Sequence, residues 1–239
     1  MAVLLCGGCL AARMWWKRVG VRRRLAKVSE KTIENGKASM FRVLGVDPAS
    51  AGPTGYGIVE SDGKTCRVLH YGALRVAAKR QKASRGAALQ DVHKLLCNLL
   101  EEFAPQAMAV ESVFTALNMK TALRLAEVRG VVLLAAEQHG VEVFSYAPRE
   151  VKACIAGHGQ ADKKQMQAMV QALLAMKETP EPSDAADALA VALCHIQAEQ
   201  LRRRFGVRRA ASGERKINPL GALASTARGR RAAGILTNQ

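Results

Sequence analysis

The sequence lacks several features that would place the chain in a large and easily recognised class. No apolar run reaches the roughly 20 residues that a membrane-spanning helix needs. The apolar N-terminal stretch, residues 1–16, contains Arg13, and its other basic residues follow the apolar part, which is the reverse of a secretory signal. No internal repeat is visible, which argues against a solenoid. We therefore expect a cytoplasmic protein with no membrane partner.

Histidine and cysteine are also sparse and scattered. The pair Cys6 and Cys9 forms a CxxC, but no second Cys or His pair follows at zinc-binding spacing. His195, on the last helix that the sequence predicts, is expected to be structural. We expect reduced thiols, as in cytosolic proteins, and no zinc site. The six cysteines are Cys6, Cys9, Cys66, Cys97, Cys154 and Cys194.

Acidic residues are outnumbered by basic ones, 20 to 36, and the net charge is +16. The excess lies at the two ends: residues 1–39 hold nine Lys and Arg against two acids, and residues 201–239 hold ten against one. Residues 40–200 hold seventeen of each and are formally neutral. The ends are therefore basic arms that could contact nucleic acid or an anionic surface.

This charge distribution also suggests how the chain is organised. We expect residues 1–39 to be an extension that is disordered or lies upstream of a native start at Met40. Residues 40–204 are expected to form one domain, and residues 205–239 a basic disordered tail.

Short apolar runs separated by turn residues predict the first part of a sheet. The run 42–47, the Gly-rich segment 54–61 and the segment 67–76 are joined by short loops and predict an antiparallel meander. Helical spacing then predicts a helix over 84–103, followed by a strand over 107–111. Because that strand follows a helical crossover, we expect it to lie parallel to the first strand and beside it.

The rest of the domain alternates helical and extended patterns, which completes a prediction of fold class. We expect an α/β fold with a five-stranded mixed sheet, an antiparallel meander plus parallel strands, flanked by helices. The further expected elements are a helix over 116–138, a strand over 141–146, and helices over 149–155, 162–176 and 183–201.

Four carboxylates stand at chemically informative places in this scheme. Asp47 and Glu111 each end a buried strand and are expected at the same edge of the sheet. Asp184 and Asp187 share one face at the start of the last helix. Helix capping by Ser183, with acids favoured by the helix dipole, explains one of these two aspartates but leaves the second unexplained.

Buried carboxylates are costly unless a cation, a proton or hydrogen-bond donors compensate them. Oxygen-only ligands suit Mg²⁺ or Mn²⁺, and four negative charges balance two divalent ions. Two such ions bind the attacking and leaving oxygens in an in-line phosphoryl displacement. The acids therefore predict metal-assisted phosphodiester hydrolysis.

The segments around these acids form a recognisable series. They are Val46-Asp47-Pro48 with Thr54-Gly55-Tyr56-Gly57, Val110-Glu111-Ser112-Val113-Phe114, Ala126-Glu127-Val128-Arg129-Gly130 and Asp184-Ala185-Ala186-Asp187-Ala188. In that order, and over residues 41–200, they resemble the RuvC-type Holliday junction resolvases of the ribonuclease H-like superfamily. Two departures are Ala49, where the family usually has Gly, and one apparent extra residue in the loop that follows.

The resemblance implies a homodimeric endonuclease that nicks two opposed strands of a four-way DNA junction in recombination and repair. It implies two Mg²⁺ ions per site, with Mn²⁺ able to substitute, and cooperation with a branch-migration helicase complex. The catalytic residues and metal ligands that it implies are Asp47, Glu111, Asp184 and Asp187.

The resemblance also suggests residues that contact DNA. Phe114 is expected to stack on bases opened near the crossover; the alternative is that it fills the core. Lys152 and Lys163 match positions that contact DNA in the family, and Lys164 and Arg149 are close in sequence. The alternative for these four is a solvated, charged helix face. Together they would surround an acidic centre that must admit a polyanion.

A two-fold substrate calls for a two-fold enzyme with paired sites. The predicted helix 116–138 carries small residues, including Ala122, Ala126 and Gly130, that permit close helix approach. It is the candidate dimer face, on symmetry and on the family resemblance.

Three other functions remain as alternatives. A sugar-kinase or actin-like ATPase also has a first strand ending in Asp, but it needs a duplicated domain for which this chain is too short. A generic ribonuclease H or transposase-like nuclease would share the acids but select another substrate. A non-catalytic nucleic-acid-binding module of the same fold would have no use for four acids.

Overall fold

The central feature of the fold is a five-stranded mixed sheet, as the sequence predicts. The computed structural model describes residues 40–48, 52–74, 84–112 and 119–206. The strands are β1 (Phe41–Asp47), β2 (Thr54–Ser61), β3 (Cys66–Leu74), β4 (Ala107–Glu111) and β5 (Glu142–Tyr146). They lie in the order β3-β2-β1-β4-β5. The meander is antiparallel, whereas β4 runs parallel to both β1 and β5.

Five helices are described, and they cover the two faces of the sheet. They are α1 (Arg85–Phe103), α2 (Met119–Gln138), α3 (Pro148–Ala156), α4 (Lys163–Leu173) and α5 (Ser183–Arg204). Most ends fall within two or three residues of the prediction. α4 ends three residues early, and Ala175 then adopts a left-handed conformation with φ of 49°. α5 runs three residues further than predicted, and Arg202 and Arg203 both bind Glu199 one turn back.

Alternation along the strands divides the core into two layers. Val43 of β1 and Ala109 of β4 pack with α3, α4 and α5 on one face. Leu44 and Val46 of β1 pack with α1 and α2 on the other. Because side chains alternate along a strand, the residues at positions 47 and 111 continue the row that faces α5.

Glycines let α5 lie directly on the sheet. A Cβ at Gly45 would overlap the carbonyl oxygen of Ala188, and one at Gly55 would overlap the carbonyl oxygen of Asp184. A Cβ at Gly57 would lie 2.6 Å from a methyl group of Leu189. The strands β1 and β2 therefore present a bare backbone surface, and the helix sits closer than it could over any larger residue.

An ion cluster of one buried acid and two arginines joins the three meander strands, at the end of β1 opposite Asp47. Glu60 on β2 is 1% exposed and is paired with Arg42 on β1 and Arg67 on β3. The distances from guanidinium nitrogen to carboxylate oxygen are 2.7 Å for Arg42 and 2.5 Å for Arg67. Arg42 also donates to the carbonyl of Phe103, at the end of α1, at 3.0 Å. Burial raises the pKa of Glu60, but the two guanidinium groups outweigh it and lower the pKa overall.

This cluster gives a stability prediction. Glu60→Gln should lower the free energy of unfolding by about 2 kcal/mol at pH 7, because three charge-assisted hydrogen bonds from two arginines lose their ionised acceptor. A lowered folded-state pKa means that the contribution is complete above the ordinary value of 4.5 and is lost as the pH falls through the folded value. Denaturant unfolding at pH 7 and in acid should show the gap between variant and parent closing on acidification.

The exposed Glu102, on α1, provides a matched control for this substitution. Glu102→Gln should change the free energy of unfolding by less than about 0.5 kcal/mol at either pH. Equal stability of the Glu60→Gln protein and its parent at pH 7 would contradict the role given to the cluster.

His195 is structural, as expected from the sequence. Its Nδ1 lies 2.7 Å from the hydroxyl of Tyr146, and both side chains are buried. The ring also packs against Phe144, with 4.3 Å between ring centroids. Among the described helices, none combines the length and apolar character needed to cross a membrane.

Candidate active site

Asp47 and Glu111 come together because two neighbouring parallel strands end at the same edge. β1 and β4 pair with Val46 opposite Val110, so the next residue of each strand is an acid. Both side chains continue the row that faces α5, and both are partly buried. The two carboxyl groups interact with each other, side chain to side chain. The sequence-based expectation of a shared sheet edge is therefore confirmed by the geometry.

The first turn of α5 brings the other two acids to the same place. Asp184 and Asp187 both act electrostatically on Asp47, and Asp187 also acts on Glu111. The helix reaches this position because Gly55 leaves room for the backbone of Asp184. Ser183 is not the N-cap: Pro182 holds that position, without a side-chain hydrogen bond. Capping by Ser183 therefore does not explain the acids.

The site is short of positive charge. Burial, then Glu111, then the two aspartates of α5 raise the pKa of Asp47 to about 8. Burial, with Asp187 adding to it, raises the pKa of Glu111. Burial and Asp184 raise the pKa of Asp187 as well. Three partly buried carboxyls thus disfavour ionisation in the absence of a compensating cation.

Two predicted lysines stand beside these acids. Lys163, at the start of α4, has its Nζ 3.8 Å from Oδ2 of Asp187 and is 57% exposed. Lys163 and Lys152 oppose the rise in the pKa of Asp187, and Lys152 on α3 also acts on Glu111. The expectation that these two lysines lie around an acidic centre agrees with this placement, and their contact with DNA stays a prediction.

The remaining predicted contacts lie further out or beyond what is described. Arg149 and Lys164 are exposed in the first turns of α3 and α4. Among the residues that the structure describes, neither side chain forms an ion pair with any of the four acids. Phe114 falls outside the described residues.

The glycines under α5 are the part of the site that sequence reasoning missed. Gly45, Gly55 and Gly57 fall within the predicted strand segments 42–47 and 54–61, and in the structure each fixes how closely α5 approaches. The sequence does contain a signal, because glycine at alternate positions weakens a strand and often marks a place where another backbone comes close. The small residues of α5, among them Ala188 and Ala192, are the matching surface.

The donor set fits hard divalent cations. Its members offer carboxylate oxygens only, and burial with mutual repulsion leaves them in need of positive charge. In the described part of the chain, no three His, Cys, Asp or Glu side chains already form a tight ligand group. The four carboxylates therefore lie near one another but do not form a complete coordination sphere. Small side-chain movements would allow them to bind a common ion.

The chain is similar to proteins of one family along most of its length. A family model described as crossover junction endodeoxyribonuclease RuvC matches residues 43–195. The RuvC of Halothermothrix orenii is 40% identical over 166 residues, which are 70% of this chain and 98% of that protein. The RuvC of Chloroflexus aggregans is 43% identical over 167 residues, which are 70% of this chain and 99% of that protein.

Solved structures agree with the sequence matches. T. thermophilus RuvC in complex with a Holliday junction substrate superposes with a TM-score of 0.63 and 34% identity, covering 67% of this chain and 96% of that one. The yeast mitochondrial Holliday junction resolvase Ydc2, at 15% identity and a TM-score of 0.51, shares the fold. The sheet order and the helices on both faces of the sheet agree with the family match over residues 43–195. The chain therefore belongs to the RuvC family of crossover junction endodeoxyribonucleases and has a ribonuclease H-like fold.

Proposed function

We propose that this chain is a structure-selective endonuclease that resolves four-way DNA junctions by paired, metal-dependent phosphodiester hydrolysis in recombination and repair. The observation that carries the proposal is the meeting of four carboxylates from two strand ends and one helix start. A partly buried group of four acids that only two lysines compensate is costly to the fold, and a metal-dependent reaction gives a reason to retain it.

The four acids are proposed as the metal ligands and the catalytic residues. The chemistry that two bound Mg²⁺ ions supply is activation of a water nucleophile and stabilisation of the departing 3′ oxygen. Asp47 is proposed as the ligand common to both ions, because its carboxyl interacts with each of the other three. Mn²⁺ has the same preference for oxygen ligands and should substitute.

The basic residues around the acids are proposed to bind the DNA backbone. Lys152 and Lys163 already stand beside the carboxylates, so a phosphate that enters the site meets their ammonium groups. Arg149 and Lys164 are exposed on the neighbouring helix starts and can extend this contact along the strand. Phe114 is proposed to stack on bases near the crossover, three residues after Glu111.

The assembly proposed for this function is a homodimer formed through α2. Its outer face carries exposed Met119, Leu123 and Leu134, which are 75%, 57% and 51% exposed. Covering these side chains with a second copy would remove apolar surface from water and place two sites on one junction. We further propose that the dimer works in the cytoplasm with a branch-migration helicase complex.

A cleavage assay with competing substrates tests the proposed function. The full chain is offered a synthetic four-way junction, the matching linear duplex and an RNA–DNA hybrid, each with Mg²⁺, Mn²⁺ or a chelator. We expect paired, symmetric nicks in the junction alone, and none with the chelator. A generic nuclease would cut the duplex or the hybrid as well. A binding module would retard the junction without cutting it, and either result would overturn the proposal.

A further inference from the structure

Two thiols meet where α3 packs against α5, away from the proposed chemistry. Cys154 lies on α3 and Cys194 on α5, and both belong to the same core layer. The Cys154 sulfur lies 3.1 Å from Oε1 of Gln197. Since Gln197 follows Cys194 by three residues on one helix, the two share a face, and Cys154 lies against that face.

The two thiols differ in exposure. Cys154 is half-buried, and Gln197 beside it is also partly exposed. Cys194 is fully buried. A partly exposed cysteine beside a fully buried one is an arrangement in which the first can react with an oxidant and the second can complete a disulfide.

The side chains of the two cysteines interact with each other. The Cys154 thiol donates to Oε1 of Gln197, and the neighbouring Cys194 side chain lowers the pKa of Cys154 in spite of its burial. The same interaction, together with burial, raises the pKa of Cys194. Because Cys154 is also the less buried of the two, the first attack on an oxidant is assigned to its sulfur.

We propose that Cys154 and Cys194 are a peroxide-sensitive pair that oxidises to an intramolecular disulfide joining α3 to α5. The Cys154 thiolate attacks a hydroperoxide: an S–O bond forms, the O–O bond breaks, and the alcohol or water leaves, giving a sulfenic acid. The Cys194 sulfur then attacks the Cys154 sulfur: an S–S bond forms, the S–O bond breaks, and water leaves with the Cys194 proton. Two thiols and one hydroperoxide become one disulfide, one water, and one alcohol or a second water.

The pair is independent of the nuclease proposal, because neither cysteine is among the proposed ligands or DNA contacts. The other described cysteines, Cys66 and Cys97, have no thiol partner among the contacts of the described residues. Burial raises the pKa of each, whereas at Cys154 the interaction with Cys194 outweighs burial. The reactivity is therefore expected at this pair and not at those two thiols.

Peptide mapping of the full chain tests the proposal. The protein is treated with hydrogen peroxide, its remaining thiols are blocked with N-ethylmaleimide, and it is digested with trypsin without reduction. Cleavage at Lys152, Lys163, Lys177 and Arg202 releases Cys154 and Cys194 on separate peptides, 153–163 and 178–202. We expect these two to appear as one linked species that dithiothreitol separates. Mapping also distinguishes this bond from any bond involving Cys6 or Cys9.

Variants give the matched comparison. Cys154→Ser and Cys194→Ala should each lose the linked species, whereas Cys66→Ser and Cys97→Ser should retain it. If Cys194→Ala does not fold, the comparison of the parent protein with Cys154→Ser is sufficient to test the proposal. Two results would overturn the proposal: Cys154 and Cys194 both blocked by N-ethylmaleimide after peroxide treatment, or Cys154 oxidised to a sulfinic acid with no linked peptide.

Discussion

Asp47→Asn should lower the rate of junction cleavage by at least about a thousand-fold, because a proposed ligand common to two metal ions is lost. The substitution removes a charge but little volume, so the fold should remain. Junction binding should be kept or tightened, since one negative charge leaves a site that must admit DNA. Single-turnover cleavage with Mg²⁺ and a binding titration on the same labelled junction measure the two effects separately.

Asp62→Asn is the matched control for this experiment. Asp62 lies in the exposed turn between β2 and β3, where one side-chain oxygen accepts from the backbone N–H groups of Lys64 and Thr65. Asparagine retains that oxygen, so cleavage and binding should both stay within about two-fold of the parent. Cleavage by Asp47→Asn at the parental rate would remove Asp47 from the mechanism.

Gly55→Ala should have the second largest effect, although alanine adds a single methyl group. That methyl would overlap the carbonyl oxygen of Asp184, and a backbone atom cannot turn aside as a flexible side chain can. The first turn of α5 must therefore move away from the sheet. Displacing catalytic groups by about 1 Å costs on the order of a hundred-fold in rate. Overpacking should lower the free energy of unfolding by about 1–3 kcal/mol.

Gly86→Ala is the control for steric cost. Gly86 lies in the first turn of α1, and a Cβ there would meet a single atom, the Ser84 hydroxyl oxygen, at 3.9 Å. Alanine should leave cleavage unchanged and stabilise the protein slightly, because it is the better helix former. Thermal unfolding and cleavage measured on both variants separate displacement of α5 from general loss of fold. Parental cleavage by Gly55→Ala would mean that the spacing of α5 does not position the acids.

The order of elements could be predicted from local sequence alone. Short apolar runs ended by an acid or followed by a turn identify β1 and β4, and helical spacing identifies α1. The crossover rule then placed β4 beside β1 and parallel to it, which is how Asp47 and Glu111 were expected at one edge. These predictions are confirmed, because each depends on residues near in sequence and on a rule of chain connection.

The ends of the helices were less predictable, since tertiary or side-chain contacts set them. α5 was expected to end at Leu201, but it continues to Arg204, and Arg202 and Arg203 bind Glu199 along the added turn. Such ion pairs favour another helical turn, but the sequence alone does not show whether they outweigh fraying of the helix end.

Contacts between distant residues were not predictable from the sequence. Glu60 has no local signal that distinguishes it from other acids in strands, and only the register of three strands shows that arginines flank it on both sides. The approach of Cys154 to α5 likewise depends on how two helices pack. The four acids are the exception, and they were found because a common chemistry, rather than a local pattern, required them to meet.

The parallel register of β1 and β4 has a consequence for how the chain can change length. One residue inserted or deleted inside either strand would turn its terminal acid to the opposite face of the sheet, toward α1 and α2. The segments that follow the two acids do not restrict the direction of the acids in this way, because each begins after its acid has been placed. We therefore expect insertions and deletions that persist in descendants of this sequence to accumulate after Asp47 and after Glu111. Within the two strands they should be rare.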